Sequence, residues 1–500
     1  MLHRDAALAA LLAVTLAGAS CTNESDQVSG AGPDGGLPDA ATDAGPCGPG
    51  EARDDAGACR RAGVPPELCA AGFVPDDMGG CSPILPAKPC PSGMLAVPGD
   101  EDCRPVAPCG EGDWGDIPVE PSTEYVKAGY DGGDSDGSAE RPWTTIQKAI
   151  AAAEPGAIVA VAAGTYAEEL MLLDKRIRLW GRCPELVEVS GSSYEAICLD
   201  VDQAEVHGVA LRSEVMGVLV SDAKDVLLDR VWFHDTADIG LFVLSLDRTT
   251  SARLSGSLVE RASGMGIFVA GSKLRIDGSV VRDTGPHEVD GPGRGINLEP
   301  DMDYYRRPAL ELEGSVIERN REAGIGAFGA DVTIRASVIR DTQPRQADGR
   351  LGMGLAAQAD HGAAKVAVEA SAITGSRTIG LTAIDSELSV RTTVVSGTLG
   401  QQSDGLYGDG LSVVRYEQPA LLRIEQSLVA QAARAGITNF SAEARIAGTA
   451  FLCNPIDLDG EVLDAAFSFA DEGGNACSCG AEARPCVARC AGLQPPAPLP

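Results

Sequence analysis

Aromatic residues are scarce in this chain of 500: nine Phe, eight Tyr and four Trp. A core large enough for the 44% hydrophobic content must therefore be built from Val, Ile, Leu and Ala, which points to stacked repeats rather than one globular centre. The same content excludes wholesale disorder. Histidine is rarer still, five in all, leaving little room for a His-rich metal site. Basic residues number 40 against 72 acidic, a formal charge of −32, and the Lys/Arg stripes needed to displace counterions from nucleic acid are missing. Nucleic acid is excluded as a partner. The 60 glycines show no three-residue period, which excludes a collagen-like rod. Paired C-x-x-C knuckles are absent too, so the cysteines do not read as zinc ligands.

What is present begins with an apolar run over residues 6–17, preceded by Arg4. It is too short to span a bilayer and suits a signal peptide over 1–20. Gly18-Ala19-Ser20-Cys21 follows and resembles a bacterial lipobox, although Leu16 lies five residues before the cysteine rather than three. The resemblance implies lipidation of Cys21, with Thr22 behind it fitting outer-membrane sorting. Residues 21–46 then read as anchor and flexible Gly/Asp/Pro/Ser tether. No later stretch is long and apolar enough to span a membrane.

Fifteen cysteines become fourteen once Cys21 is set aside. Seven lie between Cys47 and Cys109, five between Cys453 and Cys490, and Cys183 and Cys198 stand between these groups. Clustered cysteines in an exported chain imply disulfides. The spacing suggests a Cys-rich module over 47–121 and a Cys-bonded cap and tail over 476–500. Seven is odd, so at least one cysteine of the first block pairs outside it or stays free. A Cys183–Cys198 staple between adjacent early turns is expected.

From about residue 204 one phrase recurs: an apolar alternation, Gly-Ser or a variant, β-branched residues, then Gly-Ile or Gly-Leu. The slot is filled by Val209, Val231, Ser257, Ser279, Ser315, Ser337, Ser371, Thr393, Ser427 and Thr449, at spacings of 22, 26, 22, 36, 22, 34, 22, 34 and 22. A period in the twenties with short strands and no helical pattern marks a β-solenoid, and the leucine-rich-repeat frame is absent. Ten to thirteen right-handed turns of three parallel strands are predicted, a rod on the order of 50–60 Å long at ~4.8 Å per strand. Every second turn is lengthened on both sides of one strand. The inserts therefore recur along one side of the rod.

The opening of this region, Tyr125 to Asp134 with Arg141 to Ile150 and Pro155 to Tyr166, resembles the start of bacterial pectin-lyase-like right-handed β-helix proteins. With the repeats, the resemblance covers residues 122–475. Ile146, Ala149 and Ile150 fall on one face of a short helix capped by Thr144 or Thr145, suited to plug the open coil. The resemblance implies a superfamily of polysaccharide lyases, hydrolases and epimerases alongside non-catalytic adhesins, and fold does not choose among them. The Asn-Thr-Asp, Gly-His-Gly and Arg-Ile-Lys motifs of polygalacturonase-like hydrolases do not occur. Gly285-Pro286-His287 matches the Asp-Pro-His of alginate epimerases only in its last two residues.

The inserts carry the better candidates: Asp290, Arg294, Asp348, Arg350, Tyr407 and Asp409 on the first side of the strand, and Tyr304, Tyr305, Arg307 and Tyr416 on the second. Aromatic rings stack on sugar faces, and Arg and Asp bind hydroxyls or carboxylates. Asp131, Asp134 and Asp136 form a carboxylate-rich turn that could hold calcium, without the distal Glu of an EF-hand; no other cofactor is expected. The sequence thus predicts an exported, outer-membrane lipoprotein. It is all-β, a monomer, and binds polysaccharide or another cell-surface component without catalysis. A lyase or hydrolase using the same inserts is the alternative.

Overall fold

The computed structural model describes residues 51–53, 58–287, 291–480 and 482–500; the predicted signal peptide, Cys21 and the predicted tether lie outside them. These described residues belong to one compact unit. It is a right-handed parallel β-helix. Sheet I has 12 strands, and sheets II and III have 14 each. The chain passes from sheet II to III to I in every turn. Typical of the repeat are Lys273–Asp277 in II, Val280–Arg282 in III and Arg294–Glu299 in I. All rungs are parallel except the last of sheet III, where Glu482–Arg484 turns back against Ala476–Cys479 and closes the edge.

The recurring Gly-Ser has a double physical cause. The first residue sits at the corner between sheets II and III with positive φ, +53° at Gly256, +53° at Gly278 and +54° at Gly314. The left-handed turn suits glycine, and Ala336, Ala370, Thr392 and Gln426 adopt it at the same corner. The second residue is a buried hydroxyl that joins successive turns. Ser337 Oγ donates to the Arg335 carbonyl at 2.7 Å and accepts the Ser315 amide at 3.1 Å. Ser279, Ser315, Ser371, Thr393 and Ser427 repeat the pattern. The second glycine of the phrase has another origin. A Cβ on Gly240 would lie 2.5 Å from the Gly266 carbonyl oxygen, and Gly266 meets Gly295 in the same way. Neighbouring turns pack too closely there for a side chain.

The core is an aliphatic ladder, for instance Leu241, Ile267, Ile296 and Ile325 in register through sheet I. Tyr166, Phe233 and Phe451 are its only aromatic members among the described residues. Helix Ile146–Ala152 plugs the first turn with Ile146, Ala149 and Ile150, as predicted. Thr145 holds the cap position without a side-chain bond; the Glu168 carboxylate instead accepts the Ile146 and Gln147 amides at 2.8 and 3.0 Å.

Each sheet has a different outer surface. Sheet II strands alternate exposed and buried residues, as in Glu387–Arg391, and meet water directly. Sheet III is covered by the Cys-rich segment, which runs along it as a strap from Gly63, bonded to Gly448, back to Cys109, disulfide-bonded to Cys183. Phe73, Leu95 and Val106 of the strap pack on Leu258, Val316 and Val394. Arg282 and Glu260 pair beneath it at 2.6 Å, both 2% exposed, and Arg282 also donates to the carbonyls of Pro91 and Met94. Burial pushes the Glu260 carboxyl up, but Ser92 and the two arginines beside it leave it below its ordinary value.

The Cys183–Cys198 staple is not formed. Cys183 lies beyond the sheet II strand Arg178–Gly181 and meets Cys109, so the odd cysteine of the first block does pair outside it. Cys198 belongs to the sheet I strand Glu195–Leu199, on another face of the coil, and is a buried free thiol. Cys69–Cys81 and Cys90–Cys103 close loops within the strap, while Cys453–Cys479 and Cys477–Cys486 bind the last turns.

Candidate functional site

The long turns place their inserts on the two margins of sheet I. Residues 341–352 and 397–408 form the margin toward sheet III, and residues 300–308, 359–364 and 415–420 form the margin toward sheet II. Six-residue strands at ~3.3 Å per residue separate the margins by roughly 20 Å. The result is a trough whose floor is the outer face of sheet I.

The sheet III margin is bound up in ion pairs. Arg294 opens its strand at 3% exposure and bonds Glu322 at 3.1 Å and Asn297 at 2.8 Å. Arg345 lies 3.9 Å from the same Glu322 and pairs with Asp348, whose carboxyl it holds below the usual value. Asp348 also accepts the Arg350 amide at 3.0 Å, fixing a tight turn. Asp409 is fully buried against Arg434, with Nε at 2.8 Å. Burial raises its carboxyl against the pull of that guanidinium. Arg434 also lies over the Tyr407 ring, 5.0 Å from its centre. Arg294 and Asp409, expected as ligand contacts, each stand in a buried ion pair, with Glu322 and Arg434 respectively. Asp290 lies outside the described residues.

The sheet II margin is open. Asp301 is buried and accepts the amides of Tyr304 and Arg306 at 2.7 and 2.8 Å, which knots the loop and turns both tyrosines outward. Tyr304 is 60% and Tyr305 54% exposed. Arg306 lies 4.2 Å from the Tyr304 ring centre, and Tyr305 stacks on His361 of a later insert at 3.8 Å. Arg307 is held by Asp331 at 2.7 Å and the Ala363 carbonyl at 2.8 Å. Tyr416 follows farther along the margin, its amide donating to Asp385. The nine described candidates thus divide between two walls and do not meet in one cluster.

The sequence reading missed what fills the trough. Residues 491–500 turn back from the last turn and run along the floor toward Arg294. The Ala491 amide donates to Asp459 at 3.0 Å and the Leu493 amide to Glu461 at 2.8 Å. Leu499 sits among Ala323, Met353 and Ile379, with its amide on Gln358 Oε1 at 2.6 Å. Arg294 donates to the Pro500 oxygen at 2.7 Å. Between this segment and the sheet III margin remains a cavity of about 330 Å³ lined by Arg345, Arg350, Asp404 and Tyr407. Ahead of the covered stretch the floor carries Phe242 and Phe268, stacked 4.8 Å apart and half-buried.

The aspartate turn near the start of the rod does not gather a cation site. Asp136 bonds Ser138 and Arg141, which hold its carboxyl low, and Asp134 accepts Tyr130 Oη at 2.7 Å. Arg141 already supplies the positive charge. Among the described residues no group of His, Cys, Asp or Glu is arranged to hold a metal, and no helix is long and apolar enough to cross a membrane.

A family described as a protein of unknown function (DUF1565) matches residues 128–171. No curated protein matches the chain. Among solved structures, the catalytic domain of a GH87 alpha-1,3-glucanase variant with one Asp replaced by Ala, in complex with nigerose, is similar at a TM-score of 0.47 and 11% identity, over 75% of this chain and 71% of that one. Pectin methylesterase PemA from Erwinia chrysanthemi is similar at 0.33 and 9%, over 45% and 80%, and pectate lyase Pel9A at 0.31 and 11%, over 71% and 79%.

Proposed function

We propose that this chain is an exported, lipid-anchored surface protein that holds an extended glycan along the sheet I trough without cleaving it. The observation that carries the reading is the row of outward tyrosines on the open margin, Tyr304, Tyr305 and Tyr416, where no strand requires an aromatic side chain. Exposed rings spaced along a rod suit a polymer lying parallel to it, and Arg306 beside Tyr304 adds a donor for hydroxyl or carboxylate groups. On the opposite wall Asp348 and Asp409 are each committed to an arginine, which favours holding over acid/base work.

The test is calorimetric binding to a panel of polyuronides and neutral glucans, run beside assays for unsaturated products and new reducing ends. Tyr304→Ala with Tyr305→Ala should weaken binding about tenfold, from ~1.4 kcal/mol of lost stacking. Turnover of any bound polymer overturns the non-catalytic reading in favour of a lyase or hydrolase. Labelled palmitate should enter the wild type and not Cys21→Ser; equal labelling of both removes the proposed anchor site.

A further inference from the structure

Residues 491–500 contain four prolines and form no strand, so their contact with sheet I is not a backbone ladder. They are held by side chains of the trough: Asp459, Glu461, Gln358 and Arg294. Leu493 packs on Ile384, Val414 and Phe440, Pro496 is buried, and Leu499 is 4% exposed. These three positions fall at a period of three, the repeat of a polyproline II helix that lays one edge on a surface. Gly492 turns the chain at φ +72°, and the eight residues after it at ~3.1 Å reach ~25 Å, most of the ~29 Å spanned by the seven strands from Ile456–Glu461 back to Arg294–Glu299.

We infer that this segment is an intramolecular ligand of the trough, an extended polyproline II latch that occupies in cis the floor a glycan would use and must leave before the covered half can be filled. Prolines lack the amide that would tie the segment to the sheet, and their fixed backbone lowers the cost of redocking. Both properties suit a cover that comes and goes. The sheet III wall with Arg350 and Tyr407 lies behind the latch, so only the sheet II margin and the Phe242–Phe268 floor meet a ligand while it is closed. The part concerning glycan rests on the reading proposed above; self-occupancy does not.

The experiment uses the full chain with Leu493→Asp and Leu499→Asp together, and a fluorescent synthetic peptide of residues 491–500 as probe. The variant should bind the peptide saturably and the wild type at least tenfold more weakly, because its own segment competes. Gln358→Ala, which alters the floor and leaves the segment intact, should fall between them in amide exchange at position 499. Circular dichroism and thermal unfolding check that both variants keep the coil. Equal peptide binding by wild type and double variant, or none by either, overturns the latch. On the polymer panel the double variant should bind at least tenfold more tightly than wild type, with the peptide competing. Equal polymer affinity overturns the latch as a competitor of glycan, while glycan binding stands and self-occupancy is decided by the peptide. Peptide binding as expected with no polymer bound by either protein removes the glycan reading and leaves the self-occupied groove.

Discussion

Ser337→Ala is the sharpest probe of what joins one turn to the next. The hydroxyl makes two bonds: it donates to the Arg335 carbonyl and accepts the Ser315 amide from the preceding turn. The Arg335 carbonyl keeps a second partner in the Gly314 amide at 3.1 Å, so that half of the loss is softened. The Ser315 amide has no such alternative, and Ser315 is itself fully buried. Stranding a buried donor costs about 1–3 kcal/mol. A stacked coil opens locally, so the loss should be concentrated in adjacent turns. Native-state hydrogen exchange should show the Ser315 amide exchanging roughly 5–150-fold faster, with rungs near Val218 unchanged. Ser337→Thr is the control, since Thr393 makes the same pair of bonds in its own turn. If Ser337→Ala and Ser337→Thr exchange alike, the hydroxyls are fillers rather than links, and the account of the Gly-Ser repeat is wrong.

Other consequences are as direct. Arg282→Met should destabilise by about 3 kcal/mol by leaving Glu260 charged and buried, with Glu260→Gln restoring part of it; an effect under ~1 kcal/mol in urea melts refutes the clamp. Ala370→Gly should stabilise by about 0.5–1 kcal/mol, since Ala370 holds φ +49° at a corner where other turns use glycine; a destabilised variant in the same melts contradicts this. Cys198 should resist alkylation in the folded protein at pH 8, because burial and then Glu195 and Asp200 push its thiol up to about 11; prompt labelling refutes its burial. Asp459 is buried, and that burial, with Glu461 nearby, raises its carboxyl to about 7. The folded state therefore keeps a proton the unfolded chain gives up near 3.9, so the stabilisation is complete below that value and lost as pH rises through 7. Protection factors in the last turns, which remove the intrinsic rise of amide exchange with pH, should be lower at pH 8 than at pH 5, and Asp459→Asn should flatten the difference.

What could be read from the sequence was whatever repeats. The slot hydroxyls, the corner glycines and the aliphatic alternation are each set by contact with the next turn, so they recur at fixed spacing. The positions of the inserts followed from the same count. The strap and the latch left no such trace, because each touches many turns once. Their mark lies in the strands they cover: sheet III runs such as Leu258–Glu260 and sheet I runs such as Ile379–Ile384 are buried throughout, where the open sheet II strand Glu387–Arg391 alternates. Unbroken apolar runs signal a face covered on both sides. Leu493, Pro496 and Leu499 held the three-residue signal of the latch. The margin residues were less legible because Arg and Asp read alike in sequence whether they await a ligand or each other, and their bonds to Glu322 and Arg434 appear only in the structure.

The strap also changes what kind of object the rod is. A free solenoid is a one-dimensional stack whose end turns peel first. Here Gly63 is bonded near the last turns and Cys109 is covalently joined near the first, so one segment spans the stack from end to end. Fraying at either end must also lift the strap there, so the end turns are held more firmly than in a free stack while interior turns still open locally. It also sets an order of events: a segment made early in synthesis can dock fully only after the final turns exist. Docking of the strap is therefore the contact of longest sequence separation in the fold, the kind that slows folding.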